Sequence, residues 1–154
     1  MRRARLCREG VAADDGSASL EFITVGVLML VPLVYLVLAV SAVQAAALGV
    51  EGAVRQASRV FVQQQTLAEA RAAAERAIRV TLADYGLAAD DAVVSITCTP
   101  DPADCLTRRG LVTVDLAIVV PLPLMPGALA LDVPAGVMVR ASATEQVSRF
   151  WVGP

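Results

Sequence analysis

Three cysteines and one isolated carboxylate are the side chains of this 154-residue sequence that could do chemistry by virtue of their position. Cys7 precedes a long apolar run, whereas Cys98 and Cys105 follow it and bound a short loop that contains two prolines. Two such thiols can form a disulfide in an oxidising compartment or contribute to a metal site. Glu21 stands at the start of the apolar run, where a carboxylate is costly if it is buried.

The sequence contains no histidine. This absence removes the commonest general base and metal ligand, so an ordinary Ser-His or Cys-His pair cannot form. A metal site is the weaker alternative for Cys98 and Cys105, because two thiols are too few ligands. The glycines form no phosphate-cradling motif. We therefore expect a protein that is not an enzyme and uses no metal, no cofactor and no small-molecule substrate.

Residues 22–50 form an uncharged, strongly apolar run. A membrane-spanning helix needs about 20 apolar residues, so this run predicts a span with length left over at its outer end. It is longer than the apolar part of a secretory signal, which is usually about 7–15 residues. Pro32 lies inside the run and is expected to kink the helix.

The arginines predict the orientation of this span. The first basic residue after it is Arg55, and four arginines precede it closely: Arg2, Arg3, Arg5 and Arg8. Basic residues flanking a span favour the cytoplasmic side, so the N-terminus is predicted to be cytoplasmic and the rest extracytoplasmic. Cys7 would then stay reduced, and Cys98 would pair with Cys105 outside. The net charge of −2 and the scattered arginines indicate no nucleic-acid partner.

A basic leader, Gly16, four small or apolar residues and then Glu21-Phe22 together resemble the processing signal of type IV prepilins. The resemblance implies that a prepilin peptidase cuts after Gly16 and leaves Ser17 as the new N-terminus. A glycine suits this position because its backbone can enter a narrow cleft. Glu21 would offset the exposed N–H groups of the first helical turn and could neutralise the amino terminus of a neighbouring subunit.

The resemblance extends to TadE-like proteins, the minor pseudopilins of tight-adherence (Tad, Flp) pilus systems. Their short leaders end in Gly, and Glu-Phe opens a span rich in Val and Leu. The order of segments here is similar to that of actinobacterial members: one span, a helical continuation, a cysteine-bounded loop with prolines, and a strand-rich tail. Major Flp pilins are much shorter, so the resemblance implies a minor subunit.

The segment after the span predicts an α+β domain. Residues 51–85 read as one amphipathic helix that Gly86 ends, with Val54, Phe61, Ala68, Ile78 and Leu82 on one stripe. The solvated face of this helix would carry Arg71, Glu75, Arg76 and Arg79.

Three β-rich runs follow, at residues 92–98, 111–119 and 137–144, and the simplest arrangement is an antiparallel sheet with the cysteine loop joining the first two. Prolines 121, 123 and 126 with Gly127 indicate a break or an edge and not a central strand, and residues 128–131 form either a turn or a small hydrophobic flap. A disulfide would contribute on the order of 2–3 kcal/mol.

These observations predict four segments: a cleaved leader (1–16), a transmembrane helix (17–50), an amphipathic helix (51–86) and a β-rich region (87–154). The resemblance implies a structural component of Tad pilus assembly, located in the cytoplasmic membrane with its C-terminal domain outside and possible access to the cell surface. Its partners would be the prepilin peptidase, other pilin or pseudopilin subunits, the inner-membrane assembly platform and lipid. Two alternatives are a pseudopilin of a type II secretion-like system and an unprocessed single-pass anchor with a partner-binding outer domain.

Overall fold

A computed structural model describes residues 17–123 and 136–152 of the chain. The predicted leader, which includes Cys7 and Gly16, lies outside the described residues, as do Pro126, Gly127 and residues 128–131. The described elements are α1 (Ser17–Phe61), α2 (Leu67–Asp84), a single 3₁₀ turn (Ala89–Asp91), β1 (Ala92–Thr99), β2 (Leu111–Pro121) and β3 (Gly136–Gln146). This order confirms the predicted α+β class.

Helix α1 is 45 residues long, and the boundary between two compact units of the chain falls within it, after Leu38. In the first unit the helix continues through Pro32 without interruption. In the second unit it enters the core of the α+β domain, where Ala46 is the first buried residue and Val50 is fully buried. The apolar run therefore ends inside the folded domain.

The predicted single helix over residues 51–85 is wrong, because the chain breaks at residues 62–66 and starts a new helix at Leu67. The break has no Pro or Gly, and two side chains stabilise it instead. The Gln64 Nε2 donates to the carbonyl of Val60 at 3.2 Å, which satisfies a carbonyl in the last turn of α1. Thr66 caps α2: its hydroxyl accepts from the backbone N–H of Glu69 at 3.2 Å and donates to the Glu69 carboxylate at 2.9 Å.

The break also changes which residues of α2 are buried. Ala68, predicted to lie on the apolar stripe, is exposed. The buried positions of α2 are spaced four residues apart: Ala70, Ala74, Ile78 and Leu82. A non-helical segment rotates the residues after it relative to a continuous helix, which explains why Ala68 lies on the outer face. The other four residues of the predicted stripe are buried as predicted: Val54, Phe61, Ile78 and Leu82. The predicted solvated face is exposed at all four of its charged residues.

Helix α2 ends at Asp84, and Gly86 follows the C-cap Tyr85 as the predicted stop. Gly86 has a φ of +69°, a left-handed conformation that glycine adopts without steric cost. The N–H of Gly86 donates to the carbonyl of Ala83 and that of Leu87 donates to the carbonyl of Leu82, both at 3.0 Å. This pair of bonds is the Schellman motif, which satisfies carbonyls at the helix end.

The three strands form an antiparallel sheet in the order β1-β2-β3. Strand β2 alternates strictly, so one of its faces is buried and the other is partly open. The buried face belongs to a core shared with α1 and α2, and its β2 members are Val112, Val114, Leu116, Ile118 and Val120. The sheet and the predicted positions of its strands are confirmed.

Glycine allows α1 and α2 to approach closely. A Cβ added to Gly49 would lie 2.7 Å from Cγ of Tyr85, whereas one added to Gly52 would lie 3.6 Å from the Thr81 methyl group. These two contacts, with the short break between the helices, define an antiparallel helical hairpin.

We expect Gly49→Ala to lower the free energy of unfolding of the α+β domain by about 1–2 kcal/mol, because overpacking against Tyr85 outweighs the better helix propensity of alanine. Gly52→Ala is the matched control and should be neutral or stabilising by up to about 1 kcal/mol. Urea unfolding in mild detergent, followed by the fluorescence of the single tryptophan, Trp151, measures both. Equal effects of the two substitutions would contradict this packing, and Tyr85→Ala should abolish the penalty at Gly49.

Candidate functional site

The predicted processing segment lies at the N-terminal end of α1. Gly16 is outside the described residues, and Ser17 is the first residue described in the helix. Glu21 and Phe22 follow within the helix and are exposed, with Phe22 80 % accessible. The Thr24 hydroxyl donates to the carbonyl of Leu20 at 2.7 Å, so this polar side chain is satisfied by its own helix. The segment thus presents one carboxylate at the edge of an apolar helix.

The helix that follows Glu21 has no protein cover in the described structure. Except at Tyr35, which is partly buried, the large apolar side chains from Leu20 to Val40 expose 44–80 % of their surface, and they point in all directions around the helix. A core helix of a soluble protein buries at least one face, whereas this one buries none. Among the described residues, α1 is long and apolar enough to cross a membrane.

The predicted pairing of Cys98 with Cys105 is present, with a Cα–Cα distance of 5.1 Å. Both cysteines are at least 94 % buried and belong to the core cluster together with Leu106. The intervening residues, Pro100 to Asp104, are exposed. The disulfide therefore fixes an exposed acidic loop to the core at the end of β1, and in this structure neither thiol remains as a metal ligand.

The chain after β3 packs at the end of the domain that holds the Cys98–Cys105 loop. Val147 is fully buried, and its N–H donates to the carbonyl of Gly110 at 2.8 Å. The indole N–H of Trp151 donates to the carbonyl of Gln64 at 3.1 Å, and Arg108 Nε donates to the carbonyl of Trp151 at 2.8 Å. One tryptophan thus connects the α1–α2 break with the loop between β1 and β2.

The face of the sheet that points away from the helices carries a polar row. Asp115 of β2 is paired with Ser95 of β1 and Ser142 of β3, and these residues line a shallow depression of 340 Å³. In the next row the hydroxyls of Thr113 and Thr144 are 2.8 Å apart. The hydroxyl groups and the Asp115 carboxylate in these two rows can donate or accept hydrogen bonds.

Two features of the α+β domain were not predicted. The Thr66-x-x-Glu69 spacing is the sequence signature of a capped helix start, and it would have located the break before α2. The role of Trp151 had no local signal, because its partner Gln64 lies 87 residues away in the sequence.

Comparison with protein-family models, with curated proteins and with solved structures finds no match to this chain.

Replacing both Cys98 and Cys105 by alanine should lower the free energy of unfolding by about 2–3 kcal/mol, because the loop entropy of the unfolded chain is restored. Trp151 fluorescence during urea unfolding measures the loss. The matched control is reduction: dithiothreitol should destabilise the wild type by a similar amount and leave the double variant unchanged. If the wild type were insensitive to reductant, the disulfide would not support the domain.

Proposed function

We propose that this chain is a minor pseudopilin-type structural component of a Tad (Flp) pilus biogenesis system, processed by a prepilin peptidase after Gly16. One observation carries the proposal: the same helix that leaves an uncharged apolar surface without protein cover up to Val40 becomes the core helix of a small α+β domain from Ala46. A pilin-like subunit needs this division, because one part of its helix packs in lipid or among other helices while the other part holds its own domain.

The position of Glu21 supports the same function. It is the single charged residue between Ser17 and Val50, and it is exposed on the helix. Cleavage after Gly16 would remove the leader arginines and create an α-amino group a few residues away. A carboxylate and an ammonium group on adjacent subunits attract each other strongly in a low-dielectric setting. Lateral packing of mature helices would therefore be guided by this pair.

In this proposal the N-terminus is cytoplasmic and the α+β domain is extracytoplasmic. That orientation places Cys98 and Cys105 in an oxidising compartment, which agrees with their pairing. The partners are the peptidase, other pilin-like subunits, the membrane assembly platform and lipid. The role of the chain is structural, with no catalytic step of its own.

The processing step is tested by N-terminal sequencing and intact mass of the protein purified from cells that contain the prepilin peptidase. The wild type should begin at Ser17, whereas Gly16→Leu should retain the leader, because a large side chain blocks the cleavage position. Gly10→Leu, in the same leader, is the matched control and should be processed normally. A full-length wild-type protein, or normal processing of Gly16→Leu, would contradict the proposal and favour an unprocessed anchor.

Glu21→Gln separates processing from assembly. The variant should be cleaved normally but should lose co-purification with other pilin-like subunits and reduce surface pili at least tenfold, because the carboxylate that attracts the neighbouring amino terminus is gone. Glu75→Gln, an exposed carboxylate on α2, is the control and should leave piliation unchanged. Normal piliation of Glu21→Gln would exclude this assembly contact. Loss of protein secretion instead of pili would favour the type II secretion-like alternative.

A further inference from the structure

Strand β1 has an open edge. In the part of the chain that the structure describes, β1 pairs with β2 alone, so the backbone N–H and C=O groups along its other side have no strand partner. Natural edge strands usually contain a lysine, a proline, a bulge or an inward-pointing charge, and each of these prevents another strand from pairing with the edge. The eight residues of β1, Ala-Val-Val-Ser-Ile-Thr-Cys-Thr, contain none of these residue types. Strand β3, at the other edge, carries Arg140 and Glu145.

Apolar side chains of β1 remain exposed to solvent on both faces of the sheet. Val93, which points away from the helices, is 72 % exposed. Val94, which shares its face with buried Leu116, is still 38 % exposed, so the helical layer does not fully cover the sheet at this edge. An additional strand beside β1 would continue the sheet and bury apolar surface on both sides.

Carboxylates bracket this uncharged strand. Asp90 and Asp91 immediately precede it, and Asp101 and Asp104 lie in the disulfide-held loop just after it; all four are exposed. If a second copy of the chain paired through β1, carboxylates would face carboxylates at both ends, whichever way the second strand ran. Like charges placed opposite each other oppose pairing. The edge is therefore complementary to a strand with basic ends.

We infer that β1 is a docking edge for an extended segment of a partner protein, with a core of about eight apolar or β-branched residues flanked by Lys or Arg at both ends. Main-chain hydrogen bonds to β1 would provide affinity, and the basic flanks would select the partner. The disulfide contributes by fixing Asp101 and Asp104 beside the end of the strand. This inference does not depend on cleavage after Gly16 and would hold for an unprocessed anchor as well.

The test uses the full chain in detergent micelles and three fluorescein-labelled peptides that share a length of twelve residues. The first has a Thr-Val alternating core of eight residues with Arg-Arg at each end; the second replaces Arg by Glu; the third keeps Arg but has proline at alternate core positions. Fluorescence anisotropy should give binding of the first peptide at least tenfold tighter than either of the others. Hydrogen exchange should show that the first peptide protects amides of β1 and leaves those of β3 unchanged.

Charge variants test the role of the bracketing carboxylates. One variant neutralises the four residues beside β1: Asp90→Asn, Asp91→Asn, Asp101→Asn and Asp104→Asn. Its matched control neutralises four exposed carboxylates on the helices: Glu51→Gln, Glu69→Gln, Glu75→Gln and Asp84→Asn. The first variant should bind the Arg-flanked peptide about tenfold more weakly, since several surface ion pairs are lost together, and the control should bind it as the wild type does.

Four results would overturn the inference. Equal binding of the proline peptide would mean that charge alone attracts the peptide, without strand pairing. Protection of the β3 amides from hydrogen exchange, instead of the β1 amides, would show that the peptide binds at the opposite edge of the sheet. Failure of the Arg-flanked peptide to bind the wild type would show that the edge is closed to partner strands. A stable dimer of the chain through β1, detected by sedimentation, would identify a second copy as the occupant.

Discussion

The apolar surface of α1 must be shielded from water along its whole length, but the folded domain buries only its second half. The rest of the structure depends on this constraint. Up to Val40 the helix carries large, mostly exposed apolar side chains on all sides. From Ala46 onward its buried positions are mostly small, including Ala53 and Ala57, which allows a second helix and the sheet to approach closely. Large residues would suit a cover of fluid lipid chains, whereas small residues suit a precise protein partner. The change in residue size along one helix therefore marks where the folded domain begins.

The second half of α1 is buried by later parts of the same chain, so the chain must reverse direction after this helix. The break at residues 62–66 allows α2 to run back along α1. The domain stabilises this break from a distance, because Trp151 donates to the carbonyl of Gln64 and receives a bond from Arg108. The disulfide ties the neighbouring loop to the same core. Contacts between residues far apart in sequence thus stabilise the end of the domain at which α1 stops. At the other end, the packing of the two helices depends on the close approach of Gly49 to Tyr85.

Much of the fold could be predicted from the sequence because its signals are local. The alternation of β2, the positive-φ glycine at Gly86 and the uncharged run each depend on neighbouring residues, and all of them are found in the structure. The return between the helices was missed because alanine-rich sequence favours helix on both sides of the break, and Ala68 was consequently placed on the wrong face. The predicted processing residues are of a different kind. Their predicted role is to be recognised by another protein, and no contact within this chain determines that role.

The proposed assembly contact at Glu21 follows from the cost of isolated charge. A carboxylate beside an uncharged run of 29 residues, 22–50, has no partner of opposite sign within that run. At the membrane edge water can solvate it, but tight packing of helices would remove that water, and an unpaired charge is then expensive. Under the proposed processing, the nearest new positive group would be an α-amino terminus, and on an adjacent subunit it could pair with Glu21. One carboxylate would in this way favour assembly of processed subunits, because only processing would create that amino terminus.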